Sequence, residues 1–193
     1  MEELLYRIQF KDDQLAFKAF YQQQVFRLFQ FAYTFIKNRQ MAEEVVNDVF
    51  VKLWEKRKVL DKISNMKVYL YVAVKHTALN HLRTVIPFQE LDLDNVHVQH
   101  FQLSLNAEQL LLTNELQQAI AAAIQQLPPK CKLIFKLVKE DGLSYSEVAD
   151  ILGIATKTVD AQLVIALKKL SHLLQPFLQR TSSKKIIGDT IQD

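Results

Sequence analysis

Between Gln14 and Lys37 the chain reads QLAFKAFYQQQVFRLFQFAYTFIK, and Phe17, Tyr21, Val25, Leu28, Ala32 and Phe35 recur at the intervals of one helical face. A second helix is predicted from Met41 to Lys58, where Val45, Val46, Val49, Phe50, Leu53 and Trp54 make a broad apolar face. Glu43 and Glu44 near its start and Lys56, Arg57 and Lys58 at its end complement the helix dipole. The polar stretch DKISN interrupts, and a third helix is predicted over 66–85, with Leu70, Val74, Ala78 and Leu82 facing a three-helix bundle. From Pro87 to Leu105 no helical period holds, which reads as a linker. Periodicity returns over 106–126, with Leu112, Leu116, Ile120, Ala123 and Leu127 on one side. Pro128-Pro129 stops that helix, and Pro129 suits the first turn of the next, which ends at Asp141-Gly142. The residues from Pro176 onward read as a frayed tail.

The strongest local pattern is Ser144 to Leu170. Ser144 and Glu147 have capping-box spacing, Val148, Ile151 and Leu152 form a short buried face, and Gly153 supplies a turn. A second helix opens near Ala155-Thr156 with Val159, Leu163, Ala166, Leu167 and Leu170 as its inner stripe. Two short helices joined by a glycine turn make a helix-turn-helix. Burying that stripe turns Thr156, Lys157, Thr158, Ala161 and Gln162 outward, where Gln can meet a base edge and Lys or Thr a phosphate. Ser144, Tyr145 and Lys168 belong to the same candidate DNA surface. Val164 and Ile165 lie off the stripe, as packing residues or as a hydrophobic contact for a partner.

Composition supports an all-α chain: 193 residues hold only three Gly and four Pro. A single cysteine, Cys131, excludes an internal disulfide and a cysteine-based zinc site within one chain, and is compatible with a reducing cytoplasm. No eighteen-residue apolar run occurs, and the start MEELLYRIQF lacks a signal-peptide pattern, so neither membrane insertion nor export is expected. The overall charge of +3 is uninformative until it is divided along the chain. Residues 1–85 carry +5, 86–115 carry −5, 116–175 carry +2 and 176–193 carry +1. Two basic blocks flank an acidic connector. The expected domains are therefore a bundle over 1–85, a linker over 86–105, a helix-turn-helix domain over 106–175 and a flexible tail over 176–193.

Two stretches together resemble a known family. The segment from Leu127 to Leu170 is similar to the C-terminal DNA-binding domain of extracytoplasmic-function (ECF) sigma factors. AEEVVNDVFVKLWEKR resembles the helix by which sigma factors dock on core RNA polymerase, and NMKVYLYVAVKHTALNHLR the helix that recognises and melts the minus-ten element. The likeness runs from about Asp13 to Leu174, and the first half is nearest in style to ECF factors of Bacteroidetes. The resemblance implies that Glu43, Glu44, Asp48, Phe50, Val51 and Trp54 contact core polymerase, with Phe50 and Trp54 also readable as core residues. It implies minus-ten contacts from Tyr69, His76, Asn80 and Arg83, which with Val72 share one helical face, and from Lys62 and Asn65 in the preceding loop. An aromatic, an imidazole, an amide and a guanidinium on one stripe suit a melted strand. Most family members have Asn at His76 and Ser at Ala155, and many have a basic residue near Ile165; the departures at Ala155 and Ile165 imply altered or weakened minus-thirty-five contacts. Core RNA polymerase, promoter DNA and an anti-sigma factor are the partners implied, and no cofactor. The connector would thread towards the RNA channel of the polymerase.

Enzymatic readings find little support. His97 and His100 form an H-x-x-H pair without a third ligand at a useful spacing. There is no phosphate-binding glycine loop, H-E-x-x-H or nucleophile elbow. A stand-alone helix-turn-helix regulator and a helical module that contacts only proteins are the other readings open to the sequence.

Overall fold

The computed structural model describes residues 1–85, 98 and 114–188. Among them the secondary structure is entirely helical: α1 (Glu2–Lys11), α2 (Gln14–Ile36), α3 (Arg39–Glu55), a 3-10 segment (Arg57–Lys62), α4 (Met66–Val85), α5 (Asn114–Gln125), α6 (Pro129–Lys139), α7 (Tyr145–Leu152) and α8 (Thr156–Gly188). The expected linker and the first part of the helix predicted over 106–126 lie outside the described residues, apart from Val98, which is buried.

Helices α2, α3 and α4 pack against one another as the first unit. Phe50 stands at its centre, edge-on to Phe17, Phe20 and Tyr21 at centroid distances of 6.1, 6.0 and 4.8 Å. Burying each such ring is worth roughly 1.5–3 kcal/mol. Sharp side-chain caps set the helix starts. The Asp13 carboxylate accepts from the Ala16 amide (2.9 Å) and the Asn38 carbonyl oxygen of the side chain from Met41 (3.0 Å). The Ala16 amide and the Arg7 guanidinium hold the Asp13 carboxyl below its ordinary range.

Helix α1 was not among the elements predicted. Its buried Ile8 seals the edge of α2, and Gln9 is bonded at both ends to the 3-10 segment, donating to Lys58 O and Asp61 and accepting from the Asp61 amide. One buried apolar residue and one satisfied amide leave almost no periodic trace in a sequence.

In the second unit α5, α6 and α7 each pack on α8. Pro129 occupies the first turn of α6 as expected. Gly142 and Gly153 have φ of 65° and 73°, the left-handed conformation that ends α6 and α7. The inner stripe of α8 holds for Val159, Leu163, Ala166 and Leu170, but Leu167 is 49% exposed. At 100° per residue Leu167 lies about 80° around the helix from Val159, beyond the edge of the buried face. Helix α8 also runs through Pro176 to Gly188, giving up one backbone bond at the proline instead of ending there.

Candidate nucleic-acid interface

The helix-turn-helix is assembled by its cap. Ser144 Oγ accepts from the Glu147 amide (3.3 Å), and Glu147 Oε2 accepts from the Ser144 amide (2.7 Å), so both halves of the capping box are made. Val148 and Ile151 are fully buried and Leu152 nearly so, which anchors α7 on α8. Ser144→Ala is expected to cost about 1 kcal/mol of stability in the second unit, read by denaturant unfolding.

Gly153 then turns the chain into α8, whose first turn presents Thr156 and Lys157 to solvent. Thr158 is half-buried, while Ala161 and Lys168 are exposed, and Tyr145 and Ser144 line the neighbouring start of α7 in solvent. Gln162 differs from its expected free state: it is half-buried, and its Oε1 accepts from the Cys131 thiol of α6 at 2.9 Å. Ala155 precedes α8 and its carbonyl accepts from Thr158 and Val159. A serine at that position would add a side-chain acceptor for the first-turn amides, so its replacement by alanine removes a cap.

On α4 the polar stripe is built as the spacing implied. Leu70, Val74 and Ala78 are buried in the bundle, Tyr69 and Val72 pack partly against it, and His76, Asn80 and Arg83 stand in solvent. Lys62 is exposed at the end of the 3-10 segment. Asn65 is engaged: its Oδ1 accepts from the Val68 amide (3.1 Å), and its Nδ2 donates to Glu147 Oε1 of α7 (2.6 Å).

The candidate polymerase face is carried by α3. Glu43, Glu44, Asp48 and Val51 are exposed, Val51 by 56%. Phe50 is a correction, because it is 2% exposed and its ring belongs to the core. Trp54 is half-buried, its ring tilted against Phe17 at 4.9 Å and covered by the Arg57 guanidinium at 4.4 Å. Beside this face Tyr21, Phe26 and Phe29 of α2 and Val46 of α3 line a groove that sequence reasoning missed. Each residue read singly as part of an ordinary amphipathic helix.

Sequence reasoning also missed a second stripe on α4, Lys67, Tyr71 and Lys75. These residues adjoin the buried stripe and meet the helix-turn-helix unit. Tyr71 donates to Asp141 Oδ2 (2.7 Å), and the Lys67 ammonium donates to the Asp141 carbonyl. Burial, reinforced by the Asp141 charge, raises the Tyr71 hydroxyl well above its ordinary pKa. Burial likewise pushes the Lys67 and Lys75 ammonium groups down.

The Ser144 amide, followed by the Asn65 and Ser144 side chains, holds the Glu147 carboxyl below its ordinary value. A depressed carboxyl stabilises the fold above its unfolded pKa, and the contribution disappears as pH falls through the folded value. Melting temperature is therefore expected to fall as pH drops below roughly 4.5. Glu147→Gln retains the cap without the titration and should flatten that part of the profile.

Among the described residues no group of three or more His, Cys, Asp or Glu could hold a metal ion, and no helix is long and apolar enough to cross a membrane. The His97/His100 pair lies outside the described residues.

The fold and these faces define a two-unit helical protein with a helix-turn-helix in its second unit. Residues 20–85 match the Sigma-70 region 2 family, and residues 117–170 match Sigma-70, region 4. The chain is 28% identical over 145 residues to the ECF RNA polymerase sigma-E factor of Escherichia coli strain K12, covering 71% of this chain and 75% of that protein. It is 23% identical over 185 residues to the RNA polymerase sigma-H factor of Pseudomonas aeruginosa, covering 92% and 95%. The solved structure of CnrH in complex with the cytosolic domain of CnrY shares the fold, with a TM-score of 0.53 at 22% identity over 90% of this chain and 96% of that one. The chain belongs to the sigma-70 family, as an RNA polymerase sigma factor of the ECF type acting in transcription initiation. The likeness of its first half to factors of Bacteroidetes is not carried by these relatives.

Proposed function

We propose that the chain binds core RNA polymerase through the exposed acidic face of α3 and directs it to promoters read at two places. In this reading Glu43, Glu44, Asp48 and Val51 meet the polymerase, with Trp54 supporting that surface from its half-buried position. His76, Asn80 and Arg83, with Tyr69 and the loop residues Lys62 and Asn65, take the minus-ten element. Thr156, Lys157, Thr158 and Ala161 enter the major groove at minus-thirty-five, with Ser144, Tyr145 and Lys168 on the flanking backbone. Gln162 joins them when its side chain leaves Cys131.

The observation that supports this best is the pairing of two reading helices in one chain, each with its apolar stripe buried and a polar stripe in solvent. The division into 1–85, 86–105 and a second unit from 106 follows the same logic, with the acidic connector passing along a surface made for nucleic acid. The protein has no catalytic activity of its own, works in the cytoplasm, and is held in check by an anti-sigma factor. Two relatives named as sigma factors and the structure of CnrH with CnrY support this assignment.

Run-off transcription with purified core polymerase over a pool of genomic promoters tests the reading. Selective start sites that depend on the added chain are expected. No affinity for core polymerase and no start-site selection would refute it, and a duplex gel shift by the chain alone would then favour a stand-alone regulator.

A further inference from the structure

The 3-10 segment Arg57–Lys62 joins α3 to the loop before α4, and little in it is self-supporting. Hydrogen bonds in a 3-10 turn are poorly aligned, and runs beyond about three or four residues are uncommon. Val59 departs from helical geometry (φ −123°, ψ 22°), and Leu60 is the one buried side chain of the segment. Support comes from α1. Gln9 bonds Lys58 O and both the side chain and the amide of Asp61. Asp12, just past the end of α1, takes the two cations at the start of the segment: Arg57 Nε donates to its Oδ1 at 2.5 Å and Lys58 Nζ to its Oδ2 at 2.8 Å. Arg57 serves the end of α3 as well, because its Nη1 donates to the Trp54 carbonyl at 2.9 Å.

Asp12 does this from φ 50° and ψ 34°, the left-handed conformation that glycine adopts without steric cost. A side chain kept at such a position points to a purpose for that side chain, and here the carboxylate holds two charge-assisted bonds. Lys58 first and Arg57 second keep its carboxyl below the ordinary value. The neighbouring Asp13 has a different task. It caps α2 and pairs with Arg7 at 2.7 Å, and together with the buried Ile8 this seats α1 on the bundle. The placement of α1 therefore does not depend on Asp12, whereas the placement of the 3-10 segment does.

We propose that Asp12 is a positioning residue for promoter opening: with Gln9 it braces the 3-10 segment from α1, and so holds Lys62 and Asn65 in the geometry that the melted minus-ten strand meets. Arg57 and Lys58 serve the loop without touching DNA, and Lys62 is the cation of the segment that meets the strand. The brace rests on the minus-ten reading for its consequence, but not for its geometry.

Asp12→Gly in the full chain tests this, read by thermal melting, affinity for core polymerase, permanganate footprinting of promoter melting and hydrogen exchange of the segment. The substitution deletes the carboxylate but suits the left-handed backbone, so melting should stay close to wild type. Polymerase affinity should stay within about twofold, because Arg57 keeps its contacts with Trp54. Open-complex formation should fall about fivefold, near the most that a half-exposed ion pair sustains. The amides of Val59, Asp61 and Ile63, bonded to Lys56, Gln9 and Leu60, should exchange faster. Gln9→Met removes the other half of the brace and should give the same split, while Asp12→Asn, which retains an acceptor, should lie between. Equal losses of melting temperature, polymerase affinity and promoter opening would reduce Asp12 to a fold residue and overturn the proposal. Unchanged exchange, or unchanged opening, in both Asp12→Gly and Gln9→Met would overturn it too. If the wild-type chain opened no promoter, the minus-ten reading would fail instead, while exchange would still decide whether Asp12 and Gln9 hold the segment.

Discussion

Replacing His76, Asn80 and Arg83 together by alanine is expected to reduce open-complex formation about a hundredfold while leaving core-polymerase binding within twofold of wild type. All three side chains are exposed on one face of α4, opposite the buried Leu70, Val74 and Ala78. Removing them therefore creates no cavity and should leave the bundle's melting temperature nearly unchanged. A good contact of an Arg or Asn side chain with a base edge is worth roughly 1–3 kcal/mol, so a hundredfold loss, about 2.7 kcal/mol, from three side chains is a conservative total. Deleting Arg83 also removes one phosphate neutraliser and should lower the salt dependence of promoter binding by about one unit of slope. The experiment is a permanganate footprint of the melted region beside a polymerase pull-down. Equal loss in both assays would move this stripe from the DNA to the polymerase surface.

Leu163→Ala is expected to destabilise the second unit by roughly 2–5 kcal/mol, whereas Leu167→Ala should change stability by less than about 0.5 kcal/mol. Both leucines are apolar positions on successive turns of α8. Leu163 is 1% exposed and would leave a cavity; Leu167 is 49% exposed and would not. Denaturant unfolding of the full chain, followed by thermal melts, separates the two. Comparable losses at both positions would show that α8 is rotated from the register described. Because α2, α3 and α4 form their own core, Leu163→Ala should also abolish upstream promoter contact before it weakens polymerase binding.

Leu167 also shows how far sequence periodicity reaches. Its spacing of eight from Val159 fits a helical repeat, yet one face of a helix is only as wide as the neighbours that cover it. Val164, Ile165 and Leu167 make an exposed apolar strip that spacing alone divided between inside and outside. Phe50 is the reverse case. The family likeness assigns it to a binding helix, while three rings from α2 enclose it.

Local chemistry in the sequence was sufficient for the helices α2, α3, α4, α6 and α7, for the capping box at Ser144 and Glu147, and for the glycine turns at Gly142 and Gly153. Each of these depends on residues within a few positions of one another, so the pattern that selects the structure lies in one stretch of chain. Only the tertiary structure decided the burial of Phe50, the exposure of Leu167, the engagement of Gln162 by Cys131, and the seating of α4 on the helix-turn-helix unit. Those outcomes depend on partners tens of residues away, such as Tyr71 with Asp141, and a one-dimensional period carries no record of which distant surface will exclude the water.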